Sequence, residues 1–328
     1  MRVSIIRVLG GVAFVLAGLL AYYGITFGHS VFLLFMFAGA AVIVVAVTGH
    51  RPRGRDIAIF ILGVLVLSGV AAGYAPGNRV TTCSATTDQV HATKIALSVS
   101  ATTGSVSIFF RDKGNLAYQV NFSRSLGPFA LPFVGENTVT NSTSGGVFTL
   151  KITSSMSGVE VFLRHGYSVS ISATAGTGSI DLAAPSSEDV RSVSLSTTTG
   201  SVNAVVDSST IESLDLHTTT GSISLVSNHL GTSGQKVPVS LSTSLGSLSI
   251  RLNISVNVAV SLKATTGLGS INHDLVGFSV TTDKSNNLVA SAGSPETAPR
   301  SFLVSTSTNL GSQDLTIKIL PLPGMPVL

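Results

Sequence analysis

The chain has no tryptophan, one cysteine among 328 residues, and only 10% charged residues. A lone thiol, Cys83, excludes an intramolecular disulfide framework, so the fold must be held by packing and backbone pairing. Its role is left between a free thiol and a bridge to another chain. With 44% hydrophobic residues and a mean hydropathy of +0.51, the chain is too apolar for an ordinary soluble enzyme. HExxH, GxSxG, paired CxxC and phosphate-loop motifs are also missing, so no enzyme and no cofactor is expected.

The apolar residues are concentrated at one end. Three runs, residues 8–27, 31–48 and 57–75, each approach the ~20 residues that carry a helix across ~30 Å of hydrocarbon. They predict three transmembrane helices within residues 1–76. Orientation follows from arginine, because short Lys/Arg-rich loops stay cytoplasmic. Arg2 and Arg7 hold the N-terminus inside, Arg51, Arg53 and Arg55 hold the second loop inside, and everything after residue 76 is exported. The expected location is therefore the cell membrane, multi-pass, with the lipid bilayer as first partner. If the first run were instead a cleaved signal peptide, the export of the C-terminal region would stand.

The net charge of +4 does not point to nucleic acid. Six of the nineteen basic residues (Arg2, Arg7, Arg51, Arg53, Arg55 and Arg79) flank the membrane runs, and no basic stripe with interleaved aromatics follows. Gly69 and Gly73 form a GxxxG in the third run, and Ala13, Ala17 and Ala21 a small-residue stripe in the first. Such faces serve intrachain packing or a homo-oligomer.

Beyond the turn signal Pro76-Gly77-Asn78 the composition changes to Ser, Thr, Gly and β-branched residues. Residues 77–96 read as a linker and first cap, 97–320 as an extracytoplasmic β-repeat domain. One pattern recurs around Gly104, Gly178, Gly200, Gly221, Gly246, Gly269 and Gly311, each followed by serine. From Gly178 the spacings are 22, 21, 25, 23 and 42 residues, the last close to two units. A period in this range marks a solenoid or an array.

Within a unit, the positions seven and five before the glycine and two and four after it are mostly apolar, as in Leu214, Leu216, Ile223 and Leu225. This is two strands of period two joined through a Thr-Thr-Gly-Ser corner. The fold class expected is a membrane helical anchor plus an all-β repeat domain, a β-solenoid, with a twisted antiparallel sheet or sandwich as the alternative. Stacked units would fuse their apolar faces and align Thr and Ser in hydrogen-bonded ladders. Residues 109–170 read as an irregular insertion, with a hairpin around Lys113-Gly114-Asn115 and a loop at 127–132. The tail 321–328, with Pro321, Pro323 and Pro326, reads as a cover for the last coil.

Tandem Thr-Thr-Gly-Ser-Val/Ile corners between alternating strands resemble the adhesin-like, or toast-rack, domains of bacterial and archaeal envelopes. The resemblance covers residues 97–319. More distantly it extends to envelope-stress proteins of the LiaF kind, which usually carry four membrane helices rather than three. It implies a noncatalytic envelope domain and brings no catalytic residues.

Other candidates for chemistry are sparse. His217 has Ser196, Ser242 and Thr265 at its equivalent positions, so there is no histidine ladder. Asp181, Asn203, Asn272 and Asp314 share the position three after the glycine, with Ser224 and Ser249 between them. That row lacks the nonapeptide spacing of calcium solenoids and reads as a solvated face, with no metal expected. Asn121, Asn141 and Asn253 head N-x-S/T sequons and are candidate glycosylation acceptors; Asn141, in a polar stretch, is the best placed. The function expected is adhesion or surface assembly, with an envelope component or partner membrane protein as ligand. The alternative is an envelope-stress sensor signalling through the helices.

Overall fold

The structure, a computed structural model, describes residues 78–112, 114–125, 136–185, 188–232 and 236–320. The three expected membrane segments, Lys113, the 127–132 loop and the proline-rich tail lie outside these residues. Among the described residues no helix is long and apolar enough to cross a membrane. The stacked coils belong to one compact unit that begins at Val80.

Period-two alternation builds the strands. In β2 (Lys94–Thr103), which follows the edge strand β1 (Asn78–Thr86), Ile95, Leu97, Val99 and Ala101 are buried while Lys94, Ser100 and Thr102 are exposed. A glycine corner turns β2 into β3 (Val106–Phe110), and β4 (Leu116–Ser125) and β5 (Asn137–Ser144) follow. The strand-corner-strand unit then repeats as a coil: β6 (Val147–Ser154) with β7 (Gly158–Leu163), β8 (Ser168–Thr177) with β9 (Ile180–Ala184), and β10 (Asp189–Thr199) with β11 (Val202–Val206). Further coils are β12 (Ser213–Thr220) with β13 (Ile223–Leu230), β14 (Lys236–Leu245) with β15 (Leu248–Ser255), and β16 (Ala259–Leu268) with β17 (Ile271–Val276). After β18 (Ser279–Lys284) and β19 (Asn287–Ala292), β20 (Ser301–Leu310) and β21 (Gln313–Leu320) close the series.

The first strand of each coil lies in one sheet and the second in the other. Sheet A runs β1-β4-β7-β3-β9-β11-β13-β15-β21-β17, and sheet B runs β5-β6-β2-β8-β10-β12-β14-β20-β16-β19-β18. Neighbouring coils pair in parallel, so Val193, Leu214 and Val239 stand side by side, as do Val202, Ile223 and Leu248. Their side chains meet between the sheets as one continuous core, each buried Val, Leu or Ile worth roughly 1.5–3 kcal/mol. Antiparallel pairs occur where the stack ends, β4 on β7, β5 on β6, and β19 on β16 with β18 beyond.

The order of the coils departs from chain order twice. The β2–β3 coil lies between β6–β7 and β8–β9, and the β20–β21 coil lies between β14–β15 and β16–β17. This corrects three expectations. The 42-residue spacing from Gly269 to Gly311 is not two stacked units but one coil plus the β18–β19 cap. β3 and β4 do not form a hairpin around Gly114, because β7 stands between them and pairs with both. The stretch 109–170 is not all irregular, since β6 and β7 within it form a coil whose corner uses Ser155 to Ser157 in place of glycine.

The inserted coil carries a polar clasp in the core. Gln313 occupies the position two after the glycine, where other coils hold Val, Ile or Leu, and is fully buried. Its Oε1 accepts from Thr306 Oγ1 at 2.6 Å, and its Nε2 donates to the Thr265 carbonyl of the adjoining β16 at 2.6 Å. Every group so placed is satisfied, so the clasp favours this neighbour.

Candidate functional site

The corners come first, because they fix what the faces present. All seven glycines have φ between +133° and +145°, a region that side chains rarely enter. They also stand one above another in the order Gly104, Gly178, Gly200, Gly221, Gly246, Gly311, Gly269. A Cβ on any one after Gly104 would overlap the carbonyl oxygen of the glycine before it, well under 3.0 Å away. Corner backbones are therefore in direct contact, and every one of these amides before Gly269, the last, bonds across to the next coil, as in Gly200 N to Thr220 O at 2.9 Å.

The expected hydroxyl ladder exists, in a different form from Thr against Thr. The buried threonine three before each glycine donates to the glycine carbonyl of the neighbouring coil: Thr197 to Gly178, Thr218 to Gly200, Thr243 to Gly221, Thr308 to Gly246, and Thr266 to Gly311. Ala101 and Ala175 hold that position in the first coils. Just before the glycine the ladder is Thr103, Thr177, Thr199 and Thr220, and then three exposed leucines, Leu245, Leu310 and Leu268. Only the spatial coil order brings these leucines side by side.

With the corners fixed, the outward residues of sheet B fall into straight rows. One is Lys151, Ser98, Ser172, Ser194, Asp215; another is Thr149, Ala96, Ser170, Ser192, Ser213. Because the side chains between Lys151 and Asp215 are small, the surface sinks toward the backbone into a shallow depression of about 350 Å³. A second hollow of about 220 Å³ adjoins it, reaching Lys94, Arg191 and Glu212. The parallel register gathers the outward serines, far apart in the chain, into adjoining rows interrupted by Ala96 and bounded by Lys151 and Asp215.

Charge gathers at one margin, where β10 bulges between Val190 and Ser192. Arg191 pairs with Asp189 at 2.9 Å and with Glu212 at 2.9 Å. Burial pushes the Asp189 pKa up, but hydrogen bonds from Thr210, Ser168 and Arg191, with the Arg191 charge, outweigh it and hold the carboxyl below its ordinary value. The hydrogen bond to Glu212 leads the effects that raise Arg191. Beside them the fully buried Glu188 carboxylate meets His165 Nδ1. These groups bond one another and define no nucleophile–base arrangement.

The remaining candidates are dispersed. His217 Nδ1 contacts Ser242 Oγ of the next coil at 2.8 Å. The polar row on sheet A reads Asp181, Asn203, Ser224, Ser249, Asp314, Asn272 in space, with Asn203 Nδ2 donating to Asp181 Oδ1 at 2.8 Å. Among the described residues no three His, Cys, Asp or Glu could hold a metal ion together. Asn141 is exposed on β5, its amide donating to Tyr118 Oη at 3.1 Å. Asn121 is tied to Gln119, Thr82 and Glu160, and Asn253 is half-buried beside Lys318. Cys83 is half-buried against the core. The aromatics of the looser stretch include a stack of Phe109 on Phe162, centroids 5.8 Å apart.

No protein-family model matches the chain. No curated protein matches it. Among solved structures, it is similar to a candidate cell adhesion protein from Clostridium sporogenes ATCC 15579, with 13% identity, a TM-score of 0.46, and coverage of 74% of this chain and 100% of that one. It is also similar to candidate adhesins from Bacteroides fragilis NCTC 9343, with 11% identity and a TM-score of 0.29, and Parabacteroides distasonis ATCC 8503, with 10% identity and a TM-score of 0.23. Each of these two matches covers 74% of this chain and 98% of the other.

Proposed function

We propose that this protein is a membrane-anchored cell-envelope protein whose extracytoplasmic domain is a β-solenoid serving as a noncatalytic, adhesin-like surface for adhesion or assembly. The observation that carries the reading is the outer face of sheet B, where parallel register sets Ser98, Ser172 and Ser194 in one row and Ser170, Ser192 and Ser213 in the next. Such a face presents many hydroxyls on a stiff scaffold and concentrates no reactive group. Export behind three membrane helices, argued from the arginines, supports an envelope location.

The test uses vesicles carrying the full-length chain, scored for attachment to envelope fragments. Ser172→Arg and Ser194→Arg, which place bulk and charge on the face, are expected to lower attachment at least tenfold. Asn203→Arg, on the outer face of sheet A, leaves it unchanged. Equal attachment by all three variants would sink the reading. A thiol reagent applied to intact cells carrying Asn203→Cys, exposed on the outer face of sheet A, tests the orientation better than native Cys83, which is half-buried; protection of that exposed position would reverse the topology.

A further inference from the structure

The serine face has an internal symmetry that a random polar surface lacks. Taking β8 as centre, the row Lys151, Ser98, Ser172, Ser194, Asp215 places a cation two strands to one side and an anion two strands to the other, with serine at every position between. The row toward the return corner repeats the arrangement one strand out, Lys94 and Asp189 flanking Ser168. Lys94, Lys151 and Asp215 have no ion-pair partner among the described residues, while Asp189 is paired with Arg191 in a cluster that Glu212 leaves net negative. A rotation of 180° about the β8 axis therefore lays each lysine of one copy over an acid of the other, and each serine over a serine, threonine or alanine.

We propose that a second copy of this chain docks on the outer face of sheet B, about a two-fold axis running along β8. The inference rests on the proposed reading of this face as a surface for assembly, and names its partner. The twist permits the contact: a twisted sheet rotated about its own strand direction has the same twist, so the two faces stack as the layers of an aligned sandwich do, with the two shallow depressions facing each other across the axis. Five strands of about 4.8 Å spacing by eight residues of about 3.3 Å give roughly 600 Å² in projection, near the ~800 Å² of accessible surface each partner of a standard interface contributes. An isologous contact of this kind closes on itself as a dimer.

The full-length chain in lipid nanodiscs or intact cells provides the test. In a Cys83→Ser background, Ser172→Cys lies against its own copy across the axis, and a short bis-maleimide is expected to give a crosslinked dimer; Asn203→Cys on sheet A is expected to give none. Lys151→Asp alone and Asp215→Lys alone are each expected to weaken dimerisation at least tenfold, and the two together to restore it, which also shows that the variants fold. Crosslinking through Asn203→Cys instead, or no rescue by the double exchange, overturns the proposal. A monomer whose Ser172→Arg variant loses attachment to envelope fragments overturns the dimer and keeps the adhesive reading; a monomer whose variants attach as before overturns both.

Discussion

The two corners of a coil obey different rules. At the glycine corner two residues link the strands in all seven glycine coils, whereas the return corner between coils takes three to six residues at β9–β10, β11–β12, β13–β14 and β15–β16. The glycine corners touch backbone to backbone, so whatever one coil adopts the next must match. The return corners add side-chain contacts of their own: His165, between β7 and β8, meets Glu188, between β9 and β10, and Asp207, after β11, accepts from Asn228 N and Nδ2 within β13. Repetition is thus enforced where there is no room for a side chain, and individuality collects where there is.

The largest expected effect breaks the repeating corner. Gly221→Ala puts a methyl group against the Gly200 carbonyl at a φ of +145°, and is expected to cost on the order of 4 kcal/mol or more, read as loss of cooperative thermal unfolding. The same substitution at Gly145, a turn glycine with open space around it, keeps only the backbone strain, about 1–2 kcal/mol.

Next comes the clasp of the inserted coil. Gln313→Leu leaves the buried Thr306 hydroxyl and Thr265 carbonyl without this partner and is expected to cost roughly 1–3 kcal/mol in denaturant titration. Adding Thr306→Val should recover part of it; no recovery would mean that the amide acts through its bond to Thr265 alone. Thr218→Val removes one hydroxyl from one glycine carbonyl and is expected to cost about 1 kcal/mol.

The smallest effect belongs to the return corner and sharpens the contrast. The Asp189 carboxyl titrates lower in the folded chain than unfolded, so its contribution is present above the unfolded pKa near 3.9 and is lost as pH falls through the folded value. A shallow drop in melting temperature below about pH 4 is expected, reduced in Asp189→Asn. Thr210→Val, which removes a hydrogen bond to the carboxylate, should move the drop to higher pH. Because Asp189 and Arg191 are each 37% exposed, salt should weaken the effect.

The coil is legible in the sequence: two strands of period two, their buried positions, and the seven glycines at which the chain turns. These are local properties, set by alternation and by a backbone angle that glycine alone tolerates, and they read the same in isolation. The sequence could not determine which coil lies on which, because Leu97, Leu214 and Val304 offer the same apolar edge to any neighbour. That choice is settled in space, where β20–β21 lies between β14–β15 and β16–β17, the β18–β19 pair closes the sheet beyond β16, and the Gln313 amide bonds Thr265 of the adjoining coil. The leucine row at Leu245, Leu310 and Leu268 and the charge symmetry of the serine face depend on the same decision or on strand register. Both join residues far apart in the chain, and only pairing in space sets them side by side.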